Sequence, residues 1–204
     1  GDRRRVHHRR WSIIVTALRG LRIVELSSRV TGEYAAKLLA DFGADVIKVE
    51  PLEGAATRTT GPYKDGQSTL FQYLNTNKRS VTIDVQTGRA ELDALLADAD
   101  ALIMDQTPLW AAAHGFGPET QPHLVHCHIT PFGQSAAPEW QVAKPINVMN
   151  AVGWGYHTPS ETSPDKPPLK GAGRFMSDYE AGLEAALARA RRSAGQGTAA
   201  STAA

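Results

Sequence analysis

Asp178 has the most chemistry open to it. Ser177 and Glu180 stand at the S-x-x-E spacing of a capping box, which puts Asp178 in the first turn of a helix predicted over 176–192. A carboxylate there either complements the helix dipole and the free N–H groups of that turn, or does catalytic work. The pattern alone leaves both readings open. The run Asn75-Thr76-Asn77-Lys78-Arg79 joins a loop to a strand; it reads as a solvated turn or as a polar, cationic rim for an anionic ligand. His123, His126 and His128 surround Cys127. On a strand His126 and His128 point the same way, but a metal site needs three or four ligands, so they read as ordinary strand residues.

These residues need elements to hold them. Residues 21–26 (LRIVEL) read as a strand, 32–42 as a helix stopped by Gly43, and 45–49 (DVIKV) as the next strand. Strand, helix and strand at this spacing make a βαβ unit, hence a parallel pair with a right-handed crossover. Residues 50–78 form a long Gly-, Thr- and Pro-rich loop with an ordered patch at 70–74, and loops of that length are usually functional. Strands follow at 79–84, 101–104 and 124–129, and a helix at 88–98 with Thr87 as its N-cap. The stretch 131–145 reads as irregular, 146–154 as a short helix and 157–169 as a Pro-rich loop. The expected fold is α/β: a Rossmann-like, open, mainly parallel sheet with flanking helices.

The turn after the first strand reads Ser27-Ser28-Arg29-Val30-Thr31-Gly32, which lacks two of the three glycines of a dinucleotide fingerprint, so NAD and FAD are disfavoured. No Walker A loop is present, though the helix N-terminus at Gly32 is open in principle to a phosphate.

Composition narrows the class further. The 204 residues are 42% hydrophobic and 21% charged, enough for a core, and no apolar run approaches a membrane span. One cysteine excludes an internal disulfide framework and fits a cytoplasmic, reducing setting. The net charge of +1 hides basic ends: residues 1–10 carry five Arg against one Asp, and Arg189, Arg191 and Arg192 follow near the other end. The basic character therefore lies outside the middle of the chain and is poor evidence for nucleic-acid binding. The leader mimics a signal peptide without a small-residue cleavage site. Residues 1–14 are expected as a disordered basic leader, 15–192 as the folded part and 193–204 as a disordered tail.

From residue 18 the chain reads LRGLRIVELSSRVTGEYAAKLLADFGADVIKVEP, then NTNKRSVTIDV, ADALIMD, HLVHCHITPFGQSA and PPLKGAGRFMSDYEAGLEAALA. These blocks, in this order, resemble the class III CoA-transferases, the group that includes formyl-CoA and carnitine CoA-transferases. The likeness covers about residues 17–190, nearly all of the expected ordered chain. The family's catalytic aspartate lies in a D-x-x-x-G-L block, matched here by Asp178 through Leu183. The resemblance therefore implies that Asp178 is a nucleophile moving CoA from an acyl-CoA to a carboxylic acid through an aspartyl–CoA intermediate. It further implies CoA over the first strand's carboxyl end beside Arg29, Val30 and Thr31, with Asn77, Lys78 and Arg79 bordering its groove. No metal and no NAD are implied.

Two alternatives stand beside this. A 2-methylacyl-CoA racemase pairs the aspartate with a His, but Lys144 stands where that His would be. A non-catalytic CoA-binding remnant is the other, because complete members run to about 400 residues, roughly two domains. Such members form interlocked homodimers, a linkage not expected of a chain stopping at Ala204. Two departures from the family pattern are Met104-Asp105-Gln106 in place of E-N-F, and Pro51 in place of an Arg; both bear on the CoA site. An extra carboxylate at Asp105 is unfavourable near a polyanion.

Overall fold

The computed structural model describes residues 17–157, 165 and 175–201. Five strands, β1 (Arg22–Leu26), β2 (Asp45–Glu50), β5 (Arg79–Thr82), β6 (Ala101–Met104) and β7 (Val125–His128), form one sheet in the order β5-β2-β1-β6-β7. Every pairing in it is parallel. A two-stranded hairpin, β3 (Tyr63–Lys64) and β4 (Gln67–Ser68), lies apart in the long loop. The expected α/β architecture is therefore the one observed.

Parallel strands are buried on both faces and read as continuous apolar runs, as in Ala-Leu-Ile-Met of β6, which is buried throughout. Alternate residues serve opposite faces. Ile23, Val46, Ala101 and Ile103 pack with Ala36, Leu39 and Ala40 of α1 (Val30–Asp41) and Ala186 of α8 (Met176–Ser201). Val24, Leu26, Leu102 and Met104 pack on the other face with Leu92 and Leu96 of α3 (Arg89–Ala97) and Ala111 of α4 (Pro108–Ala113). The strand order reverses between β1 and β6, so their carboxyl ends form the switch point where α/β sheets bind ligands.

Several boundaries differ from the sequence reading. α1 starts at Val30 rather than Gly32, although its N-cap, Arg29, offers no side-chain bond. The acceptor that starts it, Asp105, comes from just after β6, far along the chain. Thr87 does not cap α3: the N-cap is Gly88, while Asp84 Oδ1 takes the amides of Gln86 and Thr87. The patch at 70–74 is α2 (Thr69–Leu74), properly capped by Ser68 Oγ on the Phe71 amide at 3.1 Å. The stretch 131–145 contains α5 (Pro138–Gln141), and the expected helix at 146–154 is two, α6 (Pro145–Ala151) and α7 (Trp154–His157), parted at Val152 and Gly153. α8 starts one residue before Ser177, with the Tyr179 amide on the Phe175 carbonyl at 2.9 Å, so Ser177 is not its cap. α8 also runs past 192 to Ser201, into the stretch expected as a tail. The leader at 1–14 and most of the Pro-rich loop lie outside the described residues. Among the described residues, no helix is long and apolar enough to cross a membrane.

Candidate active site

A cleft of about 430 Å³ opens at the carboxyl ends of β1 and β6. Arg29 at the N-cap of α1, Thr31 in the first turn of α1, Asp105 after β6, Thr57, Lys144 at the head of α6, and Asp178 of α8 all face it. Thus the structure brings together Arg29, Val30, Thr31 and Asp178, four of the residues singled out from sequence.

Asp178 lies in the first turn of α8. Its Oδ1 accepts the Thr31 hydroxyl at 2.7 Å, and its Oδ2 is buried without a hydrogen-bond partner. Burial lifts its pKa above the ordinary carboxylate value, opposed by the Thr31 bond and then by the charge of Arg29. The helix delivers it there because Gly182, one turn later on the same face, lets α8 lie against the start of α1. A Cβ at 182 would stand 2.7 Å from the Thr31 carbonyl oxygen. Ala186 continues that small-residue stripe into the core. Sequence reasoning took Gly182 only as part of a block; its i, i+4 spacing from Asp178 was the available signal.

Asp105 holds the junction of the β1–α1 turn with the first turn of α1, which carries Thr31. It is 4% exposed. Its Oδ1 accepts from the Ser28 amide at 2.7 Å and the Ser28 hydroxyl at 3.3 Å, and its Oδ2 from the amides of Arg29 at 3.0 Å and Gly32 at 3.1 Å. Gly32 is required: a Cβ there would lie 2.3 Å from Ser27 Oγ and 2.8 Å from Asp105 Oδ2. The carboxylate occupies the anion seat at the head of α1 that sequence reasoning left open to a phosphate. The extra acid, expected as a nuisance to a polyanion, is thus internal to the turn. Burial pushes its pKa up to about 6 against those backbone bonds and Arg29.

Asn77, Lys78 and Arg79 do not join this cleft. Lys78 is buried, its Nζ 2.7 Å from Glu25 Oε2 and 2.8 Å from the Glu33 carbonyl oxygen. Glu25 also meets Lys48 Nζ at 2.8 Å, and Lys48 reaches Glu33 Oε1 at 3.0 Å. Thr57 and Asn75 complete the shell of Glu33. Burial alone would raise the Glu25 pKa, but Lys78 and Lys48 bring it below the ordinary value. Burial lowers that of Lys78, whereas Glu25 and Glu33 override burial and raise that of Lys48. Asn77, at φ 64°, donates to Asp41 Oδ1 at 2.8 Å. Arg79 pairs with Asp45 where β5 and β2 begin, the sheet edge opposite the cleft. The cationic rim read from this run is a turn and a buried ion network instead, which spacing could not reveal.

The other readings resolve similarly. His123, His126 and His128 each turn Nε2 to a backbone carbonyl, of Leu96, Gln121 and Gln106. A carbonyl only accepts, so each of these nitrogens carries the proton and is not a metal lone pair. Lys144 faces the cleft from the head of α6, and neither it nor Arg29 makes an ion pair among the described residues. A second cleft of about 560 Å³ shares Ser28 and Ala56 with the first and is faced by Leu26, Val49, Ile83 and Trp110. Pro51, where the family resemblance expects an Arg, faces it too; its neighbour Glu50 is held by Arg58.

Comparison with known proteins points one way. A family model described as CoA-transferase family III matches residues 18–203. The chain is 33% identical over 181 residues to a succinyl-CoA:glutarate CoA-transferase of Homo sapiens, covering 84% of this chain and 40% of that one. It is 34% identical over 202 residues to a succinate–glutarate CoA-transferase of Agrobacterium fabrum, covering 86% and 48%. A crystal structure of a CAIB/BAIF family protein from Brucella suis superposes with a TM-score of 0.68 at 32% identity, over 87% of this chain and 51% of that one. The chain thus spans less than half the length of these two curated relatives.

Proposed function

The chain belongs to CoA-transferase family III, and on that premise we propose that it serves CoA transfer between an acyl-CoA and a carboxylic acid, with Asp178 as the nucleophile. The observation that carries this reading is the state of Asp178: a carboxylate drawn out of water at the switch-point cleft, one oxygen held by Thr31 and the other unpartnered. Such an oxygen keeps its lone pairs for an electrophile. Arg29 and Lys144 face the cleft without forming an ion pair among the described residues, and their charge suits a polyanionic substrate such as CoA.

The chemistry balances as follows. An oxygen of Asp178 attacks the thioester carbonyl, the C–S bond breaks, and CoA leaves as thiolate, giving an acyl–aspartyl anhydride. The thiolate attacks the aspartyl carbonyl and expels the donor acid, giving an aspartyl–CoA thioester. The acceptor carboxylate attacks that thioester and frees the thiolate again. The thiolate then takes the acyl group and releases Asp178. Each step conserves the activated acyl bond provided water is excluded. The positive end of the α8 dipole, where Asp178 sits, favours the negative charge of the tetrahedral intermediates.

The relatives named for glutarate and succinate make dicarboxylic acids the first substrates to try. The racemase reading needs a second base, and no His faces the described cleft. Incubation with succinyl-CoA, borohydride or hydroxylamine trapping, and mass mapping should place the adduct on the peptide carrying Asp178. An adduct elsewhere, or transfer retained in Asp178→Ala, would overturn the assignment. A homodimer and a cytoplasmic setting remain part of the proposal by family resemblance; sedimentation of the purified chain tests the former.

A further inference from the structure

We propose that Asp105 is a positioning residue for the nucleophile: its carboxylate fixes the β1–α1 turn in the arrangement from which Thr31 holds Asp178. The inference rests on the reading of Asp178 above, but its geometry is independent of the reaction. Asp105 takes the amides of Arg29 and Gly32, which flank Thr31 closely on either side, and Thr31 then donates to Asp178 Oδ1 at 2.7 Å. Nothing local does this job: the N-cap of α1 offers no side-chain bond. The Gly32 site, where a Cβ would lie 2.8 Å from Asp105 Oδ2, has room for the carboxylate and not for a side chain of its own. The path is short: β6, turn, Thr31, Asp178.

Charge matters as well as shape. Both oxygens act only as acceptors, and Oδ2 takes two amides. A carboxamide would turn its NH₂ toward those donors, and a protonated carboxyl would lose acceptor capacity on one oxygen. With a pKa near 6, Asp105 reaches its protonated form in mild acid. Arg29, Asp178 and Lys144 share its cleft, Arg29 being the charge that acts on it, and His128 on β7 bonds the carbonyl of Gln106 next to it in the chain.

The test uses the full chain with ¹³C-carboxyl aspartate, read at Asp178 from about pH 4.5 to 8. The wild-type Asp178 signal should carry an inflection that tracks the titration of Asp105, apart from any due to Asp178 itself. That inflection should vanish in Asp105→Asn and in Thr31→Val, and survive in Thr31→Ser, which keeps the hydroxyl. A wild-type trace blind to Asp105, or an inflection that persists in Thr31→Val, overturns the proposal. Should Asp105→Asn fail to fold, the wild type and the two Thr31 variants decide.

A kinetic arm uses succinyl-CoA and glutarate as the probe pair. Asp105→Asn should lower kcat about tenfold or more, as small misplacements of reacting groups do, with KM for succinyl-CoA moving less than about threefold. Thr31→Val should cost as much, and the double variant no more than either. Additive losses would sink the idea, because independent sites add. Failure of the wild type to transfer CoA counts against the proposed reaction alone, and the titration then decides the role of Asp105.

Discussion

Gly182→Ala pits helix propensity against packing, and the structure predicts which wins. Alanine is favoured over glycine inside a helix by about 1 kcal/mol. At 182, however, the new Cβ would stand 2.7 Å from the Thr31 carbonyl oxygen, 3.1 Å from Tyr34 Cδ1 and 3.3 Å from the Ala35 amide nitrogen. Two of the three obstacles are backbone, and the nearest belongs to the turn anchored by Asp105, so α8 must move instead. Overpacking of this kind costs about 1–3 kcal/mol, and contact with anchored backbone belongs at the upper end. The net expectation is a loss of about 1–2 kcal/mol, or roughly 2–8 °C in Tm for a chain of this size. Moving α8 also pulls Asp178 from Thr31, so covalent labelling of Asp178 by an acyl-CoA should fall more steeply than stability does. Paired urea melts and labelling rates provide the assay. A Gly182→Ala variant that melts higher than the wild type would show that the α1–α8 crossing is looser than described and that the glycine does not set the position of Asp178.

Three more expectations follow from buried charge. Lys48→Met should cost about 3–5 kcal/mol in urea unfolding, because Glu25 and Glu33 then stay buried without their shared ammonium; a loss below about 1 kcal/mol would mean water reaches the network. The folded pKa of Glu50 is held down to about 2, first by its bond to Arg58, against an ordinary 4.5, so its stabilisation is complete above that ordinary value and fades as pH falls toward 2. Arg58→Ala should shrink that acid-dependent loss, and melts across this range would contradict the assignment if the slope stayed unchanged. Asp105 works in the opposite sense: its folded pKa of about 6 exceeds the ordinary 3.8, so the native state binds a proton that the unfolded chain releases. Stability should therefore decline as pH rises from about 4 to 6 and level off above, by up to about 3 kcal/mol, and Asp105→Asn should remove that decline from the difference between urea midpoints at pH 4.5 and 7.

The parallel sheet was legible because each strand carries its own apolar run and each crossover helix its own period, both local signals. Asp178 was legible through a sequence block, and the turn Arg29-Val30-Thr31 through its position after β1. What escaped was everything that depends on a partner far along the chain. Thr31 looks like a turn residue until α8 is docked on it. Asp105 reads as an unwelcome acid because nothing near it in sequence reveals three amides waiting at the head of α1. Lys78 looks like a surface cation; only the fold shows Glu25 and Glu33 beneath it, and burial of that pair decides its role. The Thr87 cap failed for a local reason: Asp84 takes the amides of Gln86 and Thr87 into a turn of its own, and α3 starts after Gly88.

The packing of α8 on α1 has a consequence for how the site is lost. Asp178 and the Thr31 hydroxyl that holds it belong to the last and first helices described, which meet at a close crossing of small residues with Tyr179 edge-on against Tyr34. The sheet has two core faces, and one of them, built on α3 and α4, does not involve α8 at all. Peeling of α8 would therefore disarm Asp178 while most of the sheet stays intact. Heating or mild denaturant should abolish chemistry at Asp178 before the bulk of the fold melts, and amides of α8 should exchange with solvent well ahead of those of β1 and β6. Loss of the Asp178–Thr31 contact and melting of the sheet would then be two events.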